Sequence, residues 1–95
     1  MSKQANIRVV KRGGDKIEDF DPAKLASSVA AACRSVGLPD GVATDTAEQV
    51  LKSVASWLGN KSEVTSSDLR RVATRTLTTV SPEAGYLYKH HHTIL

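Results

Sequence analysis

The stretch Val9-Val10-Lys11-Arg12-Gly13-Gly14, followed by Asp21-Pro22-Ala23-Lys24-Leu25, decides how the chain is organised. A short β-branched run ends at two adjacent cations and two glycines, and a helix start with a third cation comes next. β-Branched residues favour strands and glycines favour tight turns, so the first part predicts a strand and a turn. Asp21 is a preferred helix N-cap and Pro22 suits the first helical position, so the second part predicts a helix N-terminus.

Outward from this stretch, the pattern predicts a hairpin and four helices. Residues 7–10 and 16–20 are short strand-like segments on either side of the turn, and we expect a hairpin with a polar outer face. Residues 63–64 have the composition of a very short edge strand. Helical spacing of apolar residues and capping signals predict helices that start near Asp21, near Asp40 or Thr44, at Thr65 and near Pro82. The last helix is expected to run toward His92. The expected fold is α+β, a four-helix bundle capped by a small β-sheet of two to three strands.

Length and composition restrict the class of protein. The chain has 95 residues, which suits a single domain over residues 1–95 with its core at about 7–90, and a net charge of +3. No apolar run approaches the roughly 20 residues that span a bilayer, and the N-terminus has no apolar signal segment. Cys33 is the single cysteine, so we expect no internal disulfide, a small core residue at that position and a cytoplasmic location.

Lys24 breaks a local rule. A cation in the first helical turn opposes the helix macrodipole, at a cost of up to about 1 kcal/mol. Together with Lys11 and Arg12 it predicts a site for an anion such as phosphate, which both cations and helix N-termini attract. An ordinary cluster of solvated charges remains the alternative to this interpretation.

Three blocks of the sequence carry a family resemblance. The first is Val-x-Lys-Arg, a glycine turn, an acidic residue, Phe-Asp and then Lys-Leu at a helix start. The second is Glu63-Val64-Thr65-Ser66 with Asp68-Leu69-Arg70, and the third is Ser81-Pro82-Glu83-Ala84-Gly85-Tyr86. In this order they resemble the ATP-cone family over roughly residues 7–90.

The resemblance implies a function as well as a fold. ATP-cones are regulatory domains of ribonucleotide reductases, of the repressor of reductase genes and of some archaeal kinases. They bind ATP or dATP without catalysis and change the quaternary contacts of the protein that carries them. On this basis we expect an adenine nucleotide as ligand, with Mg²⁺ on its phosphates, and a protein partner or a homo-oligomer, but no membrane.

For the phosphate side of the site, the resemblance implies three cations. Lys11 and Lys24 are expected to face phosphate, and Arg12 to reach phosphate or sugar. The turn is one residue longer here than the family's usual Lys-Arg-Asp-Gly, which bears on the reach of Arg12.

For the nucleoside side of the site, the resemblance implies one pair of apolar residues and one pair of polar residues. Val9 and Leu25 are expected to contact adenine, and Glu18 and Asp21 to lie near the base and ribose. At the start of the third helix, Thr65 and Arg70 can complete the pocket. The predicted nucleotide-binding residues are therefore Val9, Lys11, Arg12, Glu18, Asp21, Lys24, Leu25, Thr65 and Arg70.

Other motifs leave alternatives open. Arg70, Arg71 and Arg75 either contact nucleic-acid phosphates or form a solvated face. The second hypothesis is therefore a small basic nucleic-acid-binding or oligomerisation domain with a cone fold that has lost nucleotide binding. Residues 90–92 are three consecutive histidines. On a helix their side chains point in different directions, so we expect no metal site there. Tyr86 and Tyr88 have the spacing of core or partner contacts rather than of base stacking. No catalytic constellation is visible, so we expect no enzyme.

Overall fold

The computed structural model describes residues 7–11 and 16–90. The predicted α+β class, a four-helix bundle capped by a small sheet, is confirmed. The predicted turn at residues 12–15, one residue longer than the usual turn of the family that the sequence resembles, lies outside the described residues. In chain order the elements are β1 (Arg8–Val10), β2 (Ile17–Asp19), α1 (Pro22–Ser35), α2 (Asp40–Leu58), β3 (Glu63–Thr65), α3 (Ser66–Val80) and α4 (Pro82–His90).

The three strands form one mixed sheet in the order β2-β1-β3. β1 pairs antiparallel with β2, as the hairpin prediction requires, and parallel with β3. The very short strand predicted at residues 63–64 is thus an edge strand that extends to Thr65. Val9 lies opposite Glu18 on one side and Val64 on the other.

The two faces of the sheet differ from the sequence prediction. Val9 and Val64 are buried, so this row faces the helices, and Glu18 in the same row faces them too. Ile17 therefore lies on the outer face beside Val10, and it is 54% exposed. The prediction of a polar outer face is wrong at Ile17, because the register places the carboxylate rather than the isoleucine inside.

The helices close into a bundle in which α1 packs on α2, α2 on α3, α3 on α4 and α4 on α1. Cys33 is fully buried, as predicted for a small core residue, and burial raises the pKa of its thiol. A thiol with a raised pKa stays protonated, which leaves it chemically inert. The largest fully buried side chains are those of Tyr88, Leu77, Val29, Val50, Val54 and Cys33.

The helix ends follow the capping signals in the sequence. Asp21 caps α1, and the hydroxyl of Thr65 accepts a hydrogen bond from the Asp68 N–H at the start of α3. Gly37, just past the end of α1, has φ of +90°, a conformation that glycine adopts without strain. Val80, the last residue of α3, is 39% exposed. Among the described residues, no helix has both the length and the apolar character to cross a membrane.

Candidate functional site

The site is a cleft between the inner face of the hairpin and the first turns of α1 and α3. Its volume is about 150 Å³, and Tyr88 of α4 contributes to its wall. Five elements meet there: β1, β2 and α1, which are consecutive, and α3 and α4, which are distant from them in sequence. The lining residues are Val9, Lys11, Glu18, Asp19, Phe20, Asp21, Lys24, Leu25, Ser66, Leu69, Arg70 and Tyr88.

One part of the cleft wall is apolar. Val9 and Leu25 are 5% and 4% exposed, and each belongs to the hydrophobic core. Phe20 and Leu69 are half-buried and pack against the same core. A wall of this kind favours a flat, weakly hydrated ring because it removes apolar surface from water at little cost in polar contacts.

Another part of the cleft is charged. Glu18 Oε1 lies 3.6 Å from Lys11 Nζ and 3.8 Å from Lys24 Nζ. The two lysine side chains are 33% and 53% exposed, so both ammonium groups are accessible to a ligand. Two accessible ammonium groups near one point attract an anion, and the Glu18 carboxylate between them offsets part of that attraction.

The N-terminus of α1 contributes less to anion binding than its position suggests. Asp21 Oδ1 accepts hydrogen bonds from the N–H groups of Ala23 and Lys24, at 3.1 and 3.3 Å. These are two of the donors that a helix N-terminus otherwise offers to a phosphate. The attraction for an anion at this helix start therefore comes mainly from the Lys24 ammonium group.

Behind the cleft, Tyr88 connects α4 to α1 and α3. The Ser28 hydroxyl donates to the Leu25 carbonyl at 2.8 Å, so the Tyr88 hydroxyl is the donor in the 3.3 Å contact with Ser28 Oγ. The Arg70 guanidinium lies 5.6 Å from the centre of the Tyr88 ring, and its Nη1 donates to the Tyr88 carbonyl at 3.4 Å. Burial raises the pKa of Tyr88, which keeps the phenol neutral.

The structure brings most of the predicted nucleotide-binding residues together. Those that line the cleft are Val9, Lys11, Glu18, Asp21, Lys24, Leu25 and Arg70. Thr65 is not among the lining residues: its hydroxyl caps α3, and its neighbour Ser66 lines the cleft instead. Arg12 lies outside the described residues.

Five lining residues were not predicted, namely Asp19, Phe20, Ser66, Leu69 and Tyr88. Helical spacing could have indicated two of them as lining residues, because Ser66 and Leu69 lie one turn apart at the start of α3, beside Arg70. Tyr88 was predicted to make a core or a partner contact; it packs in the core, where it is fully buried, and it also forms part of the cleft wall.

The arginines of α3 have separate surroundings. Arg70 lies in the cleft, whereas Arg71 Nη2 pairs with Asp68 Oδ1 at 2.8 Å, which offsets one positive charge. A shallow groove between α3 and α4 is lined by Ser67, Arg70, Arg71, Thr74, Arg75 and Lys89. The His90 ring contacts that of Tyr86 with ring centres 4.3 Å apart and the planes tilted by 45°, and the other two histidines lie outside the described residues.

Within residues 7–11 and 16–90, no group of three or more histidine, cysteine or acidic side chains has a metal-binding arrangement. The carboxylates of the cleft, Glu18, Asp19 and Asp21, come from one short segment of the chain. The cleft thus offers both charged groups and hydrogen-bond acceptors to a ligand.

Comparison with known proteins identifies the family. Residues 7–93 match the family model described as the ATP cone domain, which covers nearly the whole chain. Comparison with curated proteins and with solved structures gave no significant match. The match includes both sides of the cleft, from β1 to α4. This chain belongs to the ATP-cone family.

Proposed function

We propose that the chain binds ATP or dATP in this cleft, does not hydrolyse it, and passes nucleotide state on through protein–protein contacts. The observation that carries the proposal is the approach of Lys11 and Lys24 to one point beside the apolar wall of Val9 and Leu25. Paired cations next to an apolar surface match the two halves of an adenine nucleotide, its phosphates and its base.

In this proposal the cations bind the phosphate chain. Lys11 and Lys24 neutralise it, and Arg12 reaches phosphate or sugar. The volume of about 150 Å³ is below the 300–1,000 Å³ typical of ligand pockets. We therefore expect the nucleoside to enter the cleft while the phosphates lie at its open edge, where both lysines are accessible.

The remaining contacts concern the nucleoside. Val9 and Leu25 pack on adenine, and Glu18 and Asp21 accept hydrogen bonds from the base or the ribose. Arg70 closes the side formed by α3, and Thr65 acts at the start of the same helix. Mg²⁺ accompanies the phosphates and keeps most of its water ligands, so it needs no dedicated set of protein ligands.

The regulatory part of the proposal follows from where the cleft lies. A nucleotide there contacts the hairpin, α1 and α3 at once, so its binding favours one arrangement of these elements over others. Surfaces on those elements then differ between the free and bound states, and a partner protein or a second copy of the chain detects the difference. Adenine nucleotides are abundant in the cytoplasm, where we propose that the chain acts.

A thermal-shift experiment tests ligand binding. Saturating ATP or dATP should raise the melting temperature, because ligand at about 100 times its Kd adds roughly 2.7 kcal/mol to stability. ADP is expected to give a smaller rise since it carries less negative charge. Unchanged melting curves with all three nucleotides would refute the proposal, and phosphate release during incubation with ATP would refute its non-catalytic part.

A further inference from the structure

A carboxylate lies between the two lysines of the cleft. Glu18 Oε1 is within 4 Å of both Nζ atoms, at 3.6 Å from Lys11 and 3.8 Å from Lys24. The three residues belong to different parts of the fold: Lys11 follows β1, Glu18 is in β2 and Lys24 is in α1. Their meeting is therefore a product of the tertiary structure.

The position of Glu18 is unusual for its residue type. It stands on the inner face of the sheet, in the row of the buried Val9 and Val64, while the apolar Ile17 next to it is on the outer face. Packing alone favours the opposite arrangement, because burying a carboxylate costs free energy and burying an isoleucine gains it. The three charged side chains are 33–53% exposed, so their ion pairs contribute little to folding. The effect of Glu18 is therefore expected in ligand binding.

We propose that Glu18 is an internal counter-ion of Lys11 and Lys24 that makes the cleft select nucleotides over bare polyphosphate; this rests on the function proposed above. Any anion that approaches the lysines competes with the Glu18 carboxylate and is repelled by it. A nucleotide compensates for this repulsion, because its ribose hydroxyls and adenine amino group donate hydrogen bonds that a carboxylate accepts. Tripolyphosphate presents almost only acceptors and gains nothing from Glu18. Such a repulsive element raises specificity without raising affinity.

The test is a pair of calorimetric titrations of the full chain, one with tripolyphosphate and one with ATP, at the same Mg²⁺ concentration. Glu18→Gln keeps the size of the side chain but removes its charge and replaces one of its two acceptor oxygens with an NH₂ donor, so it also weakens the hydrogen bonds that a nucleotide can donate. We expect tripolyphosphate to bind this variant about fivefold more tightly, the effect of one unit charge at close range in a water-exposed site. ATP affinity should not rise, so the preference for ATP over tripolyphosphate falls about fivefold or more.

Two variants serve as matched controls. Asp19→Asn removes a charge from the neighbouring lining residue, which makes no ion pair with either lysine, so its effect on tripolyphosphate should be clearly smaller. Glu63→Gln removes a charge from β3, where Glu63 Oε1 lies 4.0 Å from Arg8 Nε and outside the cleft lining, and it should leave both affinities unchanged.

The outcomes separate this inference from the function on which it rests. If ATP does not bind the wild-type chain, the proposed function fails. If ATP binds and Glu18→Gln leaves the ratio of the two affinities unchanged, only the role of Glu18 is refuted. An equal rise in tripolyphosphate affinity with Asp19→Asn also refutes it, because general local charge would then account for the effect.

Discussion

Tyr88 is the residue at which the hydrophobic core and the cleft meet. Its ring is fully buried, its hydroxyl contacts Ser28 of α1, and the guanidinium of Arg70 from α3 lies over its ring. A single side chain thus fixes three helices relative to one another directly behind the cleft. The polar tip of a buried tyrosine needs a hydrogen-bond partner, and Ser28 supplies it.

We predict that Tyr88→Phe lowers the free energy of unfolding by about 1 kcal/mol near neutral pH, the usual net value of one hydrogen bond. Burial raises the pKa of Tyr88, so above about pH 10, the ordinary tyrosine pKa, the folded chain holds more protons than the unfolded chain. Stability from this group is complete below that pH and is lost as the pH rises through the folded-state pKa. The difference between wild type and Tyr88→Phe should therefore shrink between pH 8 and pH 11 in urea unfolding.

Tyr86→Phe is the control for this prediction. Tyr86 is 66% exposed on the same helix, so the substitution should leave stability unchanged at both pH values. A difference between wild type and Tyr88→Phe that stays constant or grows toward pH 11 would contradict the role assigned to the buried phenol.

At the scale of elements, α3 and α4 approach closely at one glycine. A Cβ at Gly85 would meet Thr78 of α3, with the Thr78 Cα only 2.9 Å away and Thr78 Oγ1 closer still. Because one of these neighbours is backbone, the two helices would have to separate. Gly85→Ala should therefore destabilise the fold by about 1–3 kcal/mol, the usual cost of overpacking.

Gly41 offers the matched comparison because it is also helical and a Cβ there meets nothing within 4 Å. Gly41→Ala should be neutral or slightly stabilising, since alanine is the better helix former. Chemical denaturation of both variants measures the contrast. Equal stabilities of the two variants would show that α3 and α4 are not in the close contact described.

The helices were predictable from sequence because their signals are local. Asp21 and Thr65 mark starts of helices by their capping chemistry, and apolar spacing marks the buried faces. Which side of β2 faces the helices was not predictable. Ile17 and Glu18 point to opposite faces of the sheet, and only the register of pairing with β1 decides which of them faces inward. The parallel pairing of β1 with β3 also depends on the bundle that brings together segments about fifty residues apart.

The cleft residues that could be predicted are those that carry a signal in the local sequence. Its basic residues stand out because Lys24 breaks the charge preference of a helix N-terminus. Phe20, Leu69 and Tyr88 gave only the apolar signal of core residues, and they line the cleft because the core surface continues into it. Nucleotide contacts of Thr65 and Arg12 remain predictions. The Thr65 hydroxyl caps α3, and Arg12 lies outside the described residues.

At the scale of the whole molecule, the sheet covers the part of the bundle where α1, α3 and α4 surround the cleft. A ligand there bridges parts of the chain that are separated by most of its length, from Val9 to Tyr88. The family match spans the same range. Nucleotide binding at such a junction is the central claim, and the two lysines are the residues on which it depends most.

Calorimetric titration of ATP and dATP into the wild-type chain and into Lys11→Ala/Lys24→Ala tests that claim most directly. The control is Lys52→Ala/Lys61→Ala, which removes the same charge from lysines outside the cleft lining. Each nucleotide should bind the control with the same affinity as the wild type. Its affinity for the cleft variant should be about 100-fold lower, since each hydrogen bond to a charged group contributes a factor of about ten in affinity. Equal affinity of the cleft variant and the control, or no binding to the wild type, would contradict the claim.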